Sequence, residues 1–289
     1  MTPTLILTLL LAVLVGVSLG LLGGGGSILT VPILTYVAGL PPKEAIAASL
    51  FVVGTTSAVS AVSHARAGRV QWRTGLIFGA AGMVGAFGGG VLGGHIPGTV
   101  LMITFALMMA TTSVAMLRGR RSTGTADSSP TTLPLAKILL EGLAVGLATG
   151  LVGAGGGFLV VPALALLGGL PMPVAVGTSL VVITLKSFAG MAGYLTSVSL
   201  DWALIGGVTL AAIAGSLAGT RLAGRIPEAS LRRGFGIFVL AMGTFVLVQE
   251  LPGVAGTVVA VMAILLALAA AACRLALPSC PLRAAEVGP

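Results

Sequence analysis

Apolar residues run along this chain in long blocks, separated by short polar or glycine-rich breaks. The blocks fall at about 5–22, 27–39, 45–65, 74–94, 98–117, 136–152, 157–170, 174–195, 203–224, 229–249 and 254–273. A block of roughly 20 residues crosses a bilayer as a helix, so the pattern predicts an all-α polytopic membrane protein. The blocks 27–39 and 157–170 are too short to cross comfortably and read as half-helices or re-entrant arms. Each follows a glycine cluster. Residues 20–32 read GLLGGGGSILTVP and residues 150–162 read GLVGAGGGFLVVP, identical at eight of thirteen positions.

The 130-residue offset between these stretches extends well beyond them. Gly39-Leu40-Pro41 matches Gly169-Leu170-Pro171, Ser49-Leu50 matches Ser179-Leu180, and Ser57 matches Ser187. Trp72 matches Trp202, Gly85 and Gly89 match Gly215 and Gly219, and Ile96-Pro97 matches Ile226-Pro227. The chain is a duplication, with a first repeat over 1–119, a cytoplasmic linker over 120–135 and a second repeat over 136–250. An extra C-terminal helix and tail over 251–289 has no partner in the first half. The linker is the Ser/Thr/Pro-rich stretch that follows Arg118.

Basic residues predict the relative orientation of the repeats. Leaving aside Lys186, which sits inside a block, fourteen Lys and Arg remain. If 5–39 and 136–170 each cross once, they split seven to seven. If each is a hairpin bent at its glycines, thirteen share one side and only Lys43 is on the other. The second arrangement is the positive-inside pattern. Aligned positions agree, because Arg66, Arg69 and Arg73 match Thr196, Ser199 and Ala203, whereas Val91 and His95 match Arg221 and Arg225. The expectation is two inverted-topology repeats in the plasma (inner) membrane, each starting with a glycine-broken helical hairpin. The N-terminus is then outside and the C-terminus cytoplasmic. No basic residue precedes the first block and no small-x-small pattern follows it, so the N-terminus does not read as a cleavable signal.

Glycine breaks at corresponding places in two halves point to a substrate site in a transporter. Backbone that leaves helical geometry at membrane depth must be buried in protein or line a watery cavity. With inverted repeats, the tips at Gly24, Gly25, Gly26 and Ser27 and at Gly155, Gly156 and Gly157 meet inside the membrane. A short helix starting after each tip would offer free N–H groups and a partial positive charge to a small oxyanion. The alternative is that these glycines only permit close helix packing, as Gly82, Gly85 and Gly88-Gly89-Gly90 are expected to do. Neither cluster is followed by Lys-Ser/Thr, which excludes a nucleotide-cradling loop.

Polar residues supply the rest of the candidate site. Block 174–195 carries Thr178, Ser179, Lys186 and Ser187. Ser179 and Lys186 are seven residues apart and share a helix face. A lysine at mid-membrane costs about 2.5–3.5 kcal/mol on insertion scales and marks function; its plainer roles are snorkelling or holding a backbone carbonyl. The first-half counterparts are Ser49, Thr56 and Ser57, with Thr55 adding a hydroxyl. No base stands at position 56, so the site is asymmetric.

Composition narrows the classes. Charged residues make up 8% of the chain against 56% hydrophobic, and mean hydropathy is +1.14; soluble domains carry about 25% charged residues. The net charge of +8 therefore reflects cytoplasmic loops facing a lipid bilayer, not nucleic acid. All seven acidic residues fall in loops or near block ends, which disfavours a metal-cation carrier. Cys273 and Cys280 define neither a disulfide framework nor a metal site. No acid, base and nucleophile come together as an enzyme requires, and no cofactor is indicated. Homo-oligomerisation stays open.

The motifs together resemble the TauE/SafE family of sulfite and organosulfur-anion exporters. They read GGGGSILTVP, GLPPKEAIAASLF and RAGRVQW in the first half, then GAGGGFLVVP, GLPMPVAVGTSLVVITLKS and SLDW in the second. The likeness covers about residues 15–250 and implies transport of a small sulfur oxyanion or sulfonate. By resemblance, Gly23–Gly26, Ser49, Gly153–Gly157, Thr178 and Ser179 are candidate site positions. The chain departs from the family pattern at Ala48, where a hydroxyl residue is frequent, and at Gln71, where an acidic residue is common. The expectation is a secondary transporter or uniporter exporting sulfite or a small sulfonate by alternating access. The rivals are a carrier of another anion or of a metal cation, and a non-transport membrane scaffold.

Overall fold

The structure, a computed structural model, describes residues 3–22, 25–118, 135–153, 155–157, 160–161, 164, 170–222, 228–251, 253–258 and 261–262. Gly24, most of the linker, most of the C-terminal block and both cysteines lie outside these residues. The described residues contain no strand. The long helices are α1 (Pro3–Leu22), α2 (Pro42–Arg66), α3 (Trp72–His95), α4 (Gly98–Arg118), α5 (Leu135–Val152), α6 (Met172–Tyr194), α7 (Trp202–Leu222) and α8 (Glu228–Glu250). Five of them, α1, α2, α3, α6 and α7, are long and apolar enough to cross a membrane. In hydrocarbon a helix satisfies every backbone polar group within its own segment, which is why the apolar blocks take this form.

Local chemistry sets the helix ends, and the two halves repeat it. Pro41 and Pro171 cap α2 and α6 at almost the same dihedrals, φ −54° with ψ 145° and φ −54° with ψ 141°. A proline follows each within the first turn, where its missing N–H loses no helical bond. At the far end of α2, Gly68 adopts φ +69°, and N–H groups of Gly68 and Arg69 reach back to the carbonyls of Ala65 and His64 at 3.0 Å. This is a Schellman stop, which needs a left-handed residue that glycine provides without strain. Asp201 Oδ1 accepts the N–H groups of Ala203 and Leu204 at 3.0 and 3.2 Å to start α7. Gln71, the matched residue at the start of α3, accepts the Thr74 hydroxyl at 2.6 Å through its amide oxygen.

Between α1 and α2 the chain turns back on itself. A short arm runs as a 3-10 turn over Gly25–Leu29, an α turn over Thr30–Pro32 and a π turn over Ile33–Val37. Gly26 lies against the backbone of Ser18 and Leu19, while Leu34 clusters with Ala12 and with Leu9 beyond it. Positions falling along α1 meet positions rising along the arm, so the pair is an antiparallel hairpin. The second half closes its own arm in the same way: the N–H of Leu170 bonds the carbonyl of Leu164 at 3.3 Å, as Leu40 bonds Leu34 at 3.0 Å.

Helices pack through small residues, and the contacts exchange between halves. Gly16 and Gly20 of α1 sit on the backbone of Ala212 and Ser216 of α7, and Gly146 and Gly150 of α5 sit on Gly82 and Ala86 of α3. In return, Gly215 and Gly219 meet Val13 and Val17, and Gly85 and Gly89 meet Leu143 and Leu147. In both pairs the numbers rise together, so α1 runs parallel to α7 and α5 parallel to α3. By contrast α2 and α6 are antiparallel, with Leu50 against Gly190, Gly54 against Ser187 and His64 against Gly177. Ser113 and Met109 of α4 meet Gly236 and Gly243 of α8, again antiparallel.

Such glycine contacts let backbones approach closely where lipid supplies no hydrophobic drive between helices. Gly85→Ala would push a methyl into the Leu143 carbonyl, and overpacking of this kind destabilises by about 1–3 kcal/mol. Gly206 has nothing within 4 Å of an added methyl, so Gly206→Ala should gain about 0.5–1 kcal/mol from helix propensity. Thermal unfolding in detergent should lower the midpoint for the first variant and not for the second; matching midpoints would discount the packing role.

Phe78, Val160, Leu164 and Val182 cluster behind the second arm. Their repeat counterparts Val208, Thr30, Leu34 and Val52 border a cavity of about 10 Å³, and the Thr30 hydroxyl has no partner. Removing an unsatisfied buried hydroxyl relieves about 1–3 kcal/mol. Thr30→Val, which installs the residue found at position 160, is expected to raise the melting midpoint; a lower one would mean the hydroxyl is needed.

Candidate functional site

The second hairpin turns on glycines in left-handed geometry, with φ +75° at Gly153, +59° at Gly155 and +62° at Gly156. These angles are strained for other residues, so the cluster is a requirement of the reversal itself. Ser49 of α2 fastens the turn by donating its hydroxyl to the Gly153 carbonyl. A methyl built on Gly155 would lie 3.4 Å from the Ser27 Cβ. The two hairpin tips, one from each half, therefore touch. Gly25 opens the 3-10 turn of the first arm and Gly26 packs on α1. Gly157 starts the second arm beyond its tip, where the N–H of Val160 bonds the Gly156 carbonyl at 3.0 Å.

Lys186 reaches this junction from α6. It is 1% exposed, and its Nζ lies against Gly156 without a hydrogen-bond partner. Its stem passes Gly82 of α3, whose absent side chain leaves room 3.8–4.0 Å from the lysine Cβ and Cδ. A buried ammonium with no partner is among the most expensive groups a fold can carry. Elsewhere on α2 and α6 the hydroxyl oxygens of Thr55, Ser57 and Ser187 are also buried and unpaired, with Ser187 against Gly54. Gly54 faces Ser187 and Leu50 faces Gly190, a register that brings Thr56 to the level of Lys186. Thr56 itself turns its hydroxyl to the Val52 carbonyl at 2.6 Å.

Other expected residues stand elsewhere. Thr178 accepts the Gln71 N–H at 3.0 Å and packs on Gly75. It belongs to the turn between α2 and α3, two helical turns from Lys186. Ser179 is buried with its hydroxyl on the Val176 carbonyl at 2.8 Å. Thr149, which was not anticipated, borders the junction: a methyl on Gly156 would strike it, and its hydroxyl bonds the Val145 carbonyl at 2.8 Å. Its repeat counterpart is Leu19, so duplication gave no hint; its place four residues before Gly153 is the usable signal. The Ser60–Ser216 hydroxyl pair, 2.7 Å apart and buried between α2 and α7, also escapes the offset, because Ser216 aligns with Ala86.

The arrangement can hold a small group bearing negative charge between the lysine head group and a glycine turn. Relatives point to transport. A probable membrane transporter protein of Xylella fastidiosa is 37% identical over 248 residues, covering 84% of this chain and 95% of its own length. A probable membrane transporter protein of Methanocaldococcus jannaschii is 30% identical, covering 84% and 96% respectively. The Bacillus subtilis probable membrane transporter protein YdhB is 28% identical, with 78% and 93% covered. No solved structure matches the chain. The sulfite exporter TauE/SafE family profile matches residues 8–246, and with that span and these relatives the chain belongs to the TauE/SafE family of multi-pass membrane transporters.

Proposed function

We propose that this protein exports a small sulfur oxyanion, sulfite or a small sulfonate, from the cytoplasm by alternating access around Lys186. The observation that carries the reading is the buried, unpartnered ammonium at the place where the two glycine tips touch. A charge so placed is stabilised by an anion that arrives and leaves, whereas a permanent structural role would be expected to provide it with a fixed carboxylate. Lys186 is shut from both surfaces at 1% exposure, so one tip or the other must withdraw to admit a substrate.

Opposite orientation of the halves makes that withdrawal alternate between sides. The parallel pairs α1 with α7 and α3 with α5, together with the antiparallel pairs α2 with α6 and α4 with α8, support inverted repeats. The exposed Trp72 and Trp202 then anchor opposite interfaces. The N-terminus is outside and the C-terminus cytoplasmic, on the basic-residue distribution. Cysteine labelling at positions 69 and 199 should show opposite sidedness, and same-side labelling would defeat the topology. With the inside negative, moving one charge through 100 mV is worth about 2.3 kcal/mol, so an anion leaves downhill with no coupling ion.

The test of substrate is flux of sulfite, sulfonates and divalent metals in one set of proteoliposomes. Saturable anion flux with no metal flux is expected. Metal flux without anion flux would replace this reading with a cation carrier.

A further inference from the structure

We infer that Thr149 limits the size of the group that a carried anion bears opposite its charge, so that a sulfonate taken at Lys186 has an organic part of no more than two carbons. The inference deepens the anion-carrier reading and rests on it.

Thr149 lies in the last turn of α5 and, like Lys186, is 1% exposed. Its hydroxyl is engaged by its own helix. It donates to the Val145 carbonyl at 2.8 Å, with the Gly146 carbonyl at 3.2 Å. These bonds fix a side chain that is already stiff at χ1. They leave the methyl, not the hydroxyl, turned to the second tip. A Cβ on Gly156 would strike both the Thr149 methyl and Lys186 Nζ. The methyl and the ammonium therefore face one another across the bare glycine. An oxyanion that accepts a hydrogen bond from Nζ at about 2.8 Å carries its remaining substituent into the reach of this methyl. When the tips close over the anion, that substituent packs against an apolar wall. Close-packed walls respond to a single methylene.

The first half offers no second place for such a group. Gly26, matched to Gly156, packs on Ser18 and on the backbone nitrogen of Leu19. Leu19, matched to Thr149, is fully buried, and no lysine matches Lys186. One tip is thus closed against backbone and the other against the end of a side chain. Only the second wall can be moved by a substitution as small as one methyl, which makes the size limit local to Thr149. Sulfite and sulfonates of one or two carbons fit this wall; longer sulfonates press on it.

The test is counterflow by the full chain in proteoliposomes, with leak subtracted using protein-free vesicles, for sulfite and for methane-, ethane-, propane- and butanesulfonate. The parent should carry the first three and lose about tenfold for each further methylene. Thr149→Ser keeps the hydroxyl bonds and removes the methyl, whereas Thr149→Val keeps the methyl and removes the hydroxyl. Thr149→Ser should raise propanesulfonate about tenfold against methanesulfonate, and Thr149→Ala should do the same. Thr149→Val should keep the parent's order. Butanesulfonate carried by the parent as fast as methanesulfonate, or sulfite carried with no sulfonate, would overturn the inference and leave the carrier reading intact. So would Thr149→Ser changing every chain length equally or losing methanesulfonate flux, which makes the residue structural, and so would Thr149→Val relaxing the order while Thr149→Ser keeps it. Absence of saturable flux of any anion in the parent would remove the carrier reading and this inference together. If Thr149→Ala or Thr149→Val fails to reconstitute, the parent series and Thr149→Ser decide.

Discussion

Lys186→Ala is expected to abolish saturable anion flux without weakening the fold. The ammonium is buried and unpartnered against Gly156, so no hydrogen bond is lost when it goes. What is lost is the group that offsets the charge of a bound anion. Breaking one side of a buried charge pair costs about 3–5 kcal/mol, which is more than a hundredfold in affinity. Stability should move the other way. A lysine at mid-membrane opposes insertion by about 2.5–3.5 kcal/mol, which offsets the packing lost with its fully buried stem. Lys186→Met keeps the stem volume and should melt at or above the parent temperature, also with no flux. Flux in proteoliposomes and melting in detergent separate the two roles. A variant that melts well below the parent would make the lysine structural, and one that still transports would free it of any role in binding.

That lysine was legible in the sequence because it breaks two patterns at once, as a charge inside an apolar block and as a departure from its repeat partner Thr56. The hairpins were legible for a similar reason: a glycine cluster recurring at the same offset cannot be ordinary composition. Helix extents followed from the blocks, with α7 at Trp202–Leu222 against 203–224 and α2 at Pro42–Arg66 against 45–65, the latter gaining the charged Lys43, Glu44 and Arg66 that hydropathy omits. Depth was not legible. Thr178 was grouped with Lys186 as part of one polar helix, yet lies two turns away holding the α2–α3 turn at Gln71. Nor was the arm geometry: a short helix was expected after the first tip, and 3-10 and π turns flank a single α turn there. Thr149 stayed hidden because its importance comes from a contact across the reversal, with Gly156, which neither periodicity nor duplication encodes.

Gly156→Ala should be nearly as damaging to transport as loss of the lysine, and for a separable reason. The residue sits at φ +62°, where a side chain costs about 1–3 kcal/mol in backbone strain. Its new methyl would also collide with Lys186 Nζ and the Thr149 side chain, adding overpacking of about 1–3 kcal/mol. Either the turn moves off Thr149 or the ammonium swings aside, and both disturb the geometry where the lysine meets the tip. This variant, unlike Lys186→Ala, should therefore lose both flux and melting temperature. Gly82→Ala provides the control on the other side of the same lysine. Its methyl would meet the nearest atom at 3.6 Å, an ordinary contact, and flux should stay within about twofold of the parent, since substitutions without such clashes shift energies by about 0.5 kcal/mol. If Gly156→Ala transports like the parent, the tip does not shape the site and the hairpin is only a packing device. If Gly82→Ala is the more damaging of the two, the lysine is positioned by α3 and not by the glycine turn.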